Sequence, residues 1–266
     1  VRVGTLVATG TLLIVAAWEA DLVTRALRTG PAPITAIDFN IYLRFAQSWM
    51  AGDGWYLPAQ LTGQPYLVED ILGNVYPPTT LYLMMPFALG LPMILWWAVP
   101  LGVIGLTVLR ARPAWWAWPI LAAIPVYPRT WTVIVLGNPS MWALALLAAG
   151  CVWSWPAIGS AFKLTLAPFA LIGVRRGSWW IAASVAVVSA IPFGTMWLDY
   201  ATVMLNARTS RGLDYPLGEW PIALALVVAL QFAAHGRAQT DTRPQSRRTP
   251  WTSRRLALHP LRWSPR

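Results

Sequence analysis

Residues 130–155 read TWTVIVLGNPSMWALALLAAGCVWSW, a run without one Asp, Glu, Lys or Arg. Its length exceeds the ~20 apolar residues that a helix needs to cross a bilayer. Gly137-Asn138-Pro139-Ser140 interrupts it. Proline lacks the N–H of the helical ladder and crowds the preceding turn. Such a break is tolerated inside lipid only where the freed backbone faces protein or a wet cavity. Asn138 is therefore read in two ways, as a contact to a bound substrate or as an interhelical hydrogen bond.

Similar apolar runs lie on both sides, at 77–91, 92–109, 114–127, 157–174, 178–198 and 219–235, and a first one spans Val3 to Trp18. The whole chain is 57% hydrophobic and 11% charged, with a mean hydropathy of +0.51. Soluble domains carry about 25% charged residues, so a chain this poor in charge lacks the means to cover a water-facing surface. The fold expected is an all-α integral membrane bundle of about eight transmembrane helices over residues 1–235. Its first helix is read as uncleaved. Pro86, Pro100, Pro119 and Pro192 predict kinks, and 77–109 admits one re-entrant unit in place of two spans. Trp96, Trp97, Trp115, Trp116, Trp118, Trp179 and Trp180 stand near run ends, as interfacial anchors do.

Charge suggests the orientation. Residues 236–266 hold eight arginines and one aspartate, which reads as a disordered basic tail on the cytoplasmic face, drawn to anionic lipid heads rather than to nucleic acid. Arg129, Arg175 and Arg176 are then expected inside, with Arg110 and Arg112 as exceptions. Segments 25–76 and 199–218 fall outside, and nine of the ten acidic residues lie at or within them: Glu19, Asp21, Asp38, Asp53, Glu69, Asp70, Asp199, Asp214 and Glu219. One cysteine, Cys151, and two histidines, His235 and His259, exclude a disulfide framework and argue against a metal site. No Gly-rich phosphate loop, HExxH, GxSxG or Asp-x-Asp pair is present.

Four places offer chemistry. Ile37, Ile41, Phe45 and Ser48/Trp49 recur at helical spacing and predict a short amphipathic helix on the outer surface, ended by Gly52. Asp38 stands at its start and Tyr42 one turn on. Asp38 is either an N-terminal cap or a carboxylate placed to take a proton from an attacking sugar hydroxyl, with Arg44 near enough to tune its pKa. Tyr76 precedes Pro77-Pro78, a helix start. Asn138 marks the break described above. Lys163, the only lysine in the chain, lies inside an apolar run. A charge there costs a few kcal/mol, so it calls for a partner or a wet cavity unless it snorkels to an interface.

The blocks Asp38-Phe39 with Tyr42, Ala46, Gly52 and Tyr56; Tyr76-Pro77-Pro78; Gly137-Asn138; and Lys163-Leu164-Thr165 with Pro168 and Arg175-Arg176 follow one another over residues 37–198. In this order the chain resembles the GT-C superfamily of membrane glycosyltransferases. Within it, the likeness is to the bacterial polyprenol-phosphate-mannose-dependent alpha-mannosyltransferases. The resemblance implies a GT-C bundle with an extracytoplasmic active site in the cell membrane. It implies a polyprenyl-phosphate sugar donor, most often mannose, a glycolipid or glycan acceptor, and inversion at the anomeric carbon with neither metal nor cofactor. Asp38 matches the family's base. Lys163 and Asn138 match polar positions, and phosphate binding is the role expected of Lys163. Asn138 stands where glutamine is commoner.

Two other classes compete. A transporter or flippase of a lipid-linked sugar uses the same groove and needs no base; the absence of an evident internal repeat counts against it. A structural or assembly subunit is the third.

Overall fold

The structure, a computed structural model, describes residues 36–63, 67–68, 71–153, 156–211 and 218–241. The expected first helix at Val3–Trp18 and the end of the tail, 242–266, lie outside the described residues. So do Glu19, Asp21, Glu69, Asp70 and Asp214.

The described chain is helical, apart from a two-residue hairpin in which β1 (Leu67–Val68) pairs antiparallel with β2 (Ile71–Leu72), Leu67 opposite Leu72. The helices are α1 (Ile37–Ala51), α2 (Pro58–Leu61), α3 (Leu81–Ala88), α4 (Leu95–Ala111), α5 (Trp118–Val126), α6 (Pro128–Val135), α7 (Ser140–Trp153), α8 (Pro156–Ser160), α9 (Ala167–Ala170), α10 (Gly177–Ala190), α11 (Met196–Arg211) and α12 (Trp220–Asp241). Single turns of 3₁₀ helix at Pro78–Thr80, Leu164–Leu166, Leu171–Gly173 and Ile191–Phe193 join several of them. The last helix runs past the boundary expected at 235, to Asp241.

α7 is the central helix and packs against α4, α8 and α12. Its sequence explains this. Ala143, Ala145, Ala148 and Gly150 are small and buried, so neighbours approach closely on several sides. A Cβ added at Gly159 of α8 would lie 3.1 Å from Leu146 Cβ of α7. A second core lies around α1, where Phe39 packs against Phe87, Trp96 and Trp97.

The apolar runs fold as broken helices. No single helix among the described residues is long and apolar enough to cross a membrane. Two bent pairs meet the length and apolarity of a span together: α6 with α7, bent by 116°, and Gly177–Phe193 with Met196–Ala207, bent by 95°. The first break falls at Gly137-Asn138-Pro139. Gly137 has φ +68°, and a Cβ there would lie 2.9 Å from Phe39 Cβ and 3.0 Å from Trp97 Cζ2. Only glycine fits both the backbone and the space. The run 157–174 also breaks, at Lys163, whose φ of −151° is extended. The carbonyls freed at that break are not left bare: the Thr79 hydroxyl donates to Ala161 O and the Thr80 hydroxyl to Phe162 O, as backbone in an apolar setting requires.

α1 forms as expected and ends at Gly52, at φ +96°, with the Gly52 and Asp53 N–H groups donating back to Trp49 O and Ser48 O. Its buried stripe is a correction. Phe39, Tyr42, Phe45 and Ala46 face the core, whereas Ile37 and Ile41 are only half-buried. Phe39 and Tyr42 offer more apolar area to bury than Ile37 and Ile41, so the helix is rotated from the expected stripe.

Candidate functional site

The start of α1 is capped from elsewhere. Ala36 N–H donates to Val135 O at 2.8 Å, and Asp38 and Phe39 N–H donate to Leu136 O at 2.9 and 3.2 Å. The orphan donors of α1 thus meet the orphan carbonyls of α6. The capping role read as an alternative for Asp38 is filled by backbone, and no side chain caps this helix. The half-buried Asp38 carboxylate instead accepts a hydrogen bond from Asn138 Nδ2, 2.6 Å from Oδ2.

Asn138 can point only one way. Its Oδ1 receives the Ser140 backbone N–H at 2.9 Å, and a backbone N–H can only donate. That atom must be the carbonyl oxygen, so the amide NH₂ faces Asp38. The same Oδ1 accepts from the Tyr76 hydroxyl. Tyr76 OH lies 2.7 Å from Ser140 Oγ and 3.4 Å from Lys163 Nζ. Lys163 donates to Ser140 Oγ at 2.6 Å and forms an ion pair with Glu219, to which Ser140 also donates at 2.9 Å. Arg129 reaches Glu219 Oε1 at 3.8 Å. A continuous polar chain therefore runs from Asp38 through Asn138, Tyr76, Ser140 and Lys163 to Glu219 and Arg129.

Tyr76 is held from behind. Gln60 pairs with the backbone of Asn74 in both directions, Nε2 to Asn74 O at 3.0 Å and Asn74 N to Oε1 at 3.1 Å. Asn74 Oδ1 accepts from Tyr76 N at 2.9 Å, and Tyr56 OH donates to Tyr76 O at 2.8 Å. Tyr42 closes the other side, its ring edge-on to that of Tyr76 at 4.9 Å. Burial pushes the Tyr56 phenol up, so it stays protonated and keeps donating.

Of the six residues singled out in the sequence, Asp38, Tyr42, Tyr76, Asn138 and Lys163 come together. Arg44 does not: it is exposed and belongs to none of these hydrogen bonds. Arg44 follows Asp38 by six positions, a separation that sets two residues on different faces of a helix. Lys163 has the partner its burial calls for, and that partner is Glu219, itself fully buried. Ser140, Glu219 and Arg129 were not singled out as site residues. For Glu219 the signal was the position of an acid at the head of an apolar run, with a buried lysine elsewhere in need of a counter-charge.

Arg129 is a second correction. It was expected on the face opposite Asp38 and Glu219, yet it touches Glu219 and packs its side chain against Gly218. The cause is the bend between α6 and α7. Residues 130–155 do not run straight across the bundle, so Arg129 at their head folds back to the end where the acids lie.

Asp38 responds to these neighbours. Burial raises its pKa above the ordinary carboxylate value; the Asn138 hydrogen bond and the charges of Arg129 and Lys163 pull it down; burial prevails and the net direction is up. The cluster holds two acids and two cations, so it balances internally. No group of three or more His, Cys, Asp or Glu able to hold a metal ion occurs among the described residues.

A cavity of about 550 Å³ lies among α4, α5, α6, α7 and α12, lined by apolar residues except at Thr130. Its volume is in the range of about 300–1,000 Å³ usual for ligand sites.

Compared with known proteins, the chain matches no family model, no curated protein and no solved structure.

Proposed function

We propose that the chain is a membrane-embedded glycosyltransferase of GT-C type, moving a sugar, most often mannose, from a polyprenyl-phosphate donor to a glycolipid or glycan acceptor at the extracytoplasmic face. The observation that carries this reading is the Asp38 carboxylate. It is freed from its helix cap, half-buried, oriented by an amide that can only donate to it, and raised in pKa. A carboxylate so tuned accepts a proton near neutral pH more readily than an ordinary one. The step assigned to it is removal of the acceptor hydroxyl proton as that oxygen bonds to the anomeric carbon. The bond from that carbon to the donor phosphate oxygen breaks with inversion, and the electron pair leaves with the phosphate. The cations beside Asp38 suit the charge that develops there.

Apolar exposure supports a lipid setting. Leu106 and Leu109 of α4, Val187 and Val188 of α10, Ile191 and Leu198 are all large and exposed. Soluble proteins rarely leave so much apolar surface uncovered. In this reading the two bent pairs are broken spans.

One observation favours a transporter of a lipid-linked sugar instead. A buried ion pair set among broken helices is a common feature of transport proteins, and this chain has both. Membranes containing the protein, given a radiolabelled polyprenyl-phosphate mannose and a lipid extract, separate the two. Glycosyl transfer predicts a new labelled glycolipid. Label that crosses the membrane still bonded to its phosphate would overturn the enzyme reading in favour of transport.

A further inference from the structure

Within the polar chain, Asn138 Oδ1, the Tyr76 hydroxyl, the Ser140 hydroxyl and Glu219 Oε1 touch in that order and make three oxygen–oxygen contacts. A hydroxyl carries one hydrogen, whereas a carbonyl and an ionised carboxylate carry none. Both ends of this row therefore only accept, and two hydrogens serve three contacts. Lys163 decides which contact goes without. Its ammonium can only donate. It lies 2.6 Å from Ser140 Oγ and 3.4 Å from Tyr76 OH, beside the 2.7 Å contact between those two oxygens. Both hydroxyl oxygens accept from the ammonium, so their hydrogens point outward. Ser140 donates to Glu219 and Tyr76 donates to Asn138. The amide, fixed by the Ser140 N–H, carries the sequence on through its NH₂ to Asp38 Oδ2 at 2.6 Å.

We propose that Tyr76 and Lys163 are positioning residues for Asp38: the ammonium aims the Tyr76 hydroxyl at the Asn138 carbonyl, and the amide so polarised donates more strongly to the carboxylate. Every hydrogen bond from Lys163 to Asp38 points the same way, and bonds aligned in such a row strengthen one another by about 10–30% each. Tyr76 is suited to this task because it is buried and its backbone is clasped by Asn74 and Tyr56. Lys163 gains a task other than the phosphate contact expected of it: its ammonium faces Ser140, Tyr76 and Glu219, the last in an ion pair. The value of tuning Asp38 rests on the glycosyl-transfer reading; the direction of the hydrogen bonds does not.

The test is the protonation midpoint of the Asp38 carboxyl, followed by infrared difference spectroscopy on the full chain in nanodiscs and assigned by its loss in Asp38→Asn. The charged groups that act on Asp38, namely Arg129, Lys163 and Glu219, stay in place when position 76 is changed. Tyr76→Phe keeps the ring and removes the hydroxyl. The midpoint should rise by about 0.1–0.6, the part of a charge-assisted hydrogen bond that such alignment supplies. 3-Fluorotyrosine at position 76 is a stronger donor and should lower the midpoint; it nearly preserves the shape of the ring and decides the matter if Tyr76→Phe does not fold. Ser140→Ala removes a hydroxyl that points away from Asn138, and should move the midpoint less than Tyr76→Phe does. A midpoint indifferent to both changes at position 76 would overturn the proposal, because it places the Tyr76 hydrogen on Ser140. A shift in Ser140→Ala as large as that in Tyr76→Phe would overturn it too. If Tyr76 only fills space, its loss lowers the melting temperature and leaves the midpoint where it was. The midpoint is read without any sugar, so the two readings separate. Opposite movements in the two Tyr76 variants of a protein that transfers no sugar uphold this inference and sink the enzyme; transfer lost in Asp38→Asn beside a midpoint that neither variant moves does the reverse.

Discussion

Asp38 takes its character from an amide that cannot turn round. The Ser140 N–H fixes the carbonyl of Asn138, and the amide N–H₂ is thereby delivered to the carboxylate. Asn138→Asp replaces that donor with a second acid. Loss of the hydrogen bond and gain of a like charge both raise the Asp38 pKa. The base works only when ionised, so the acid limb of the pH–rate profile should move to higher pH, and a profile that stays in place would count against Asp38 as the base. Stability follows the same shift. Because the folded pKa lies above the ordinary 3.8, the folded state holds the extra proton between those two values, and stability falls as pH rises through that window. Asp38→Asn should remove this fall and leave the thermal midpoint at neutral pH no lower than that of the parent. At the other end of the chain, Glu219→Ala leaves Lys163 charged and buried without its counter-ion. A loss of about 3–5 kcal/mol is expected, read as a lowered unfolding midpoint, and Lys163→Met with Glu219→Leu should recover most of it.

Among the elements, the break between α6 and α7 does most to build the site. It supplies the carbonyls that cap α1, turns Asn138 toward Asp38, and brings Arg129 back to Glu219. Trp96 and Trp97 fasten it by donating to Gly137 O at 2.8 Å and Ile134 O at 2.7 Å. Gly137→Ala should cost about 1–2 kcal/mol for the left-handed backbone, and more for the contact with Phe39. A thermal melt equal to that of the parent would show that the break is not held as described. This element was partly legible in the sequence. Gly137-Asn138-Pro139 announced a break, and Lys163 announced a buried charge. The direction of the bend was not legible, because composition carries no angle, and without the angle Arg129 was set apart from Glu219, which it meets. The stripe of α1 was misplaced for a related reason: Ile37, Ile41 and Phe45 satisfy helical spacing as well as Phe39, Tyr42 and Phe45 do, and only the aromatic wall of Phe87, Trp96 and Trp97 decides between them. Glu219 was grouped with the other acids by its position along the chain, yet among the described acids it is the one that is fully buried.

Across the whole molecule, five of the six residues chosen from the sequence meet although they are spread from Asp38 to Lys163, and two of them, Asn138 and Lys163, sit at breaks in apolar runs. The helical character followed from apolar runs without charge. The fragmentation of those runs followed from their prolines, whose number was plain but whose effect depends on which neighbours can receive the freed carbonyls, as Thr79 and Thr80 do. Within one bundle the chain joins a half-buried carboxylate held by an amide, a buried ion pair and an apolar cavity, and the proposed transfer would draw on the first of these. The measurement that bears most directly on this is sugar transfer from polyprenyl-phosphate mannose by parent and Asp38→Asn proteins, reconstituted at equal amounts and shown to be equally folded. Removal of a general base predicts a rate lower by about 10²–10⁴-fold with the protein still inserted in the membrane; an Asp38→Asn protein that turns over at the parent rate would contradict the account.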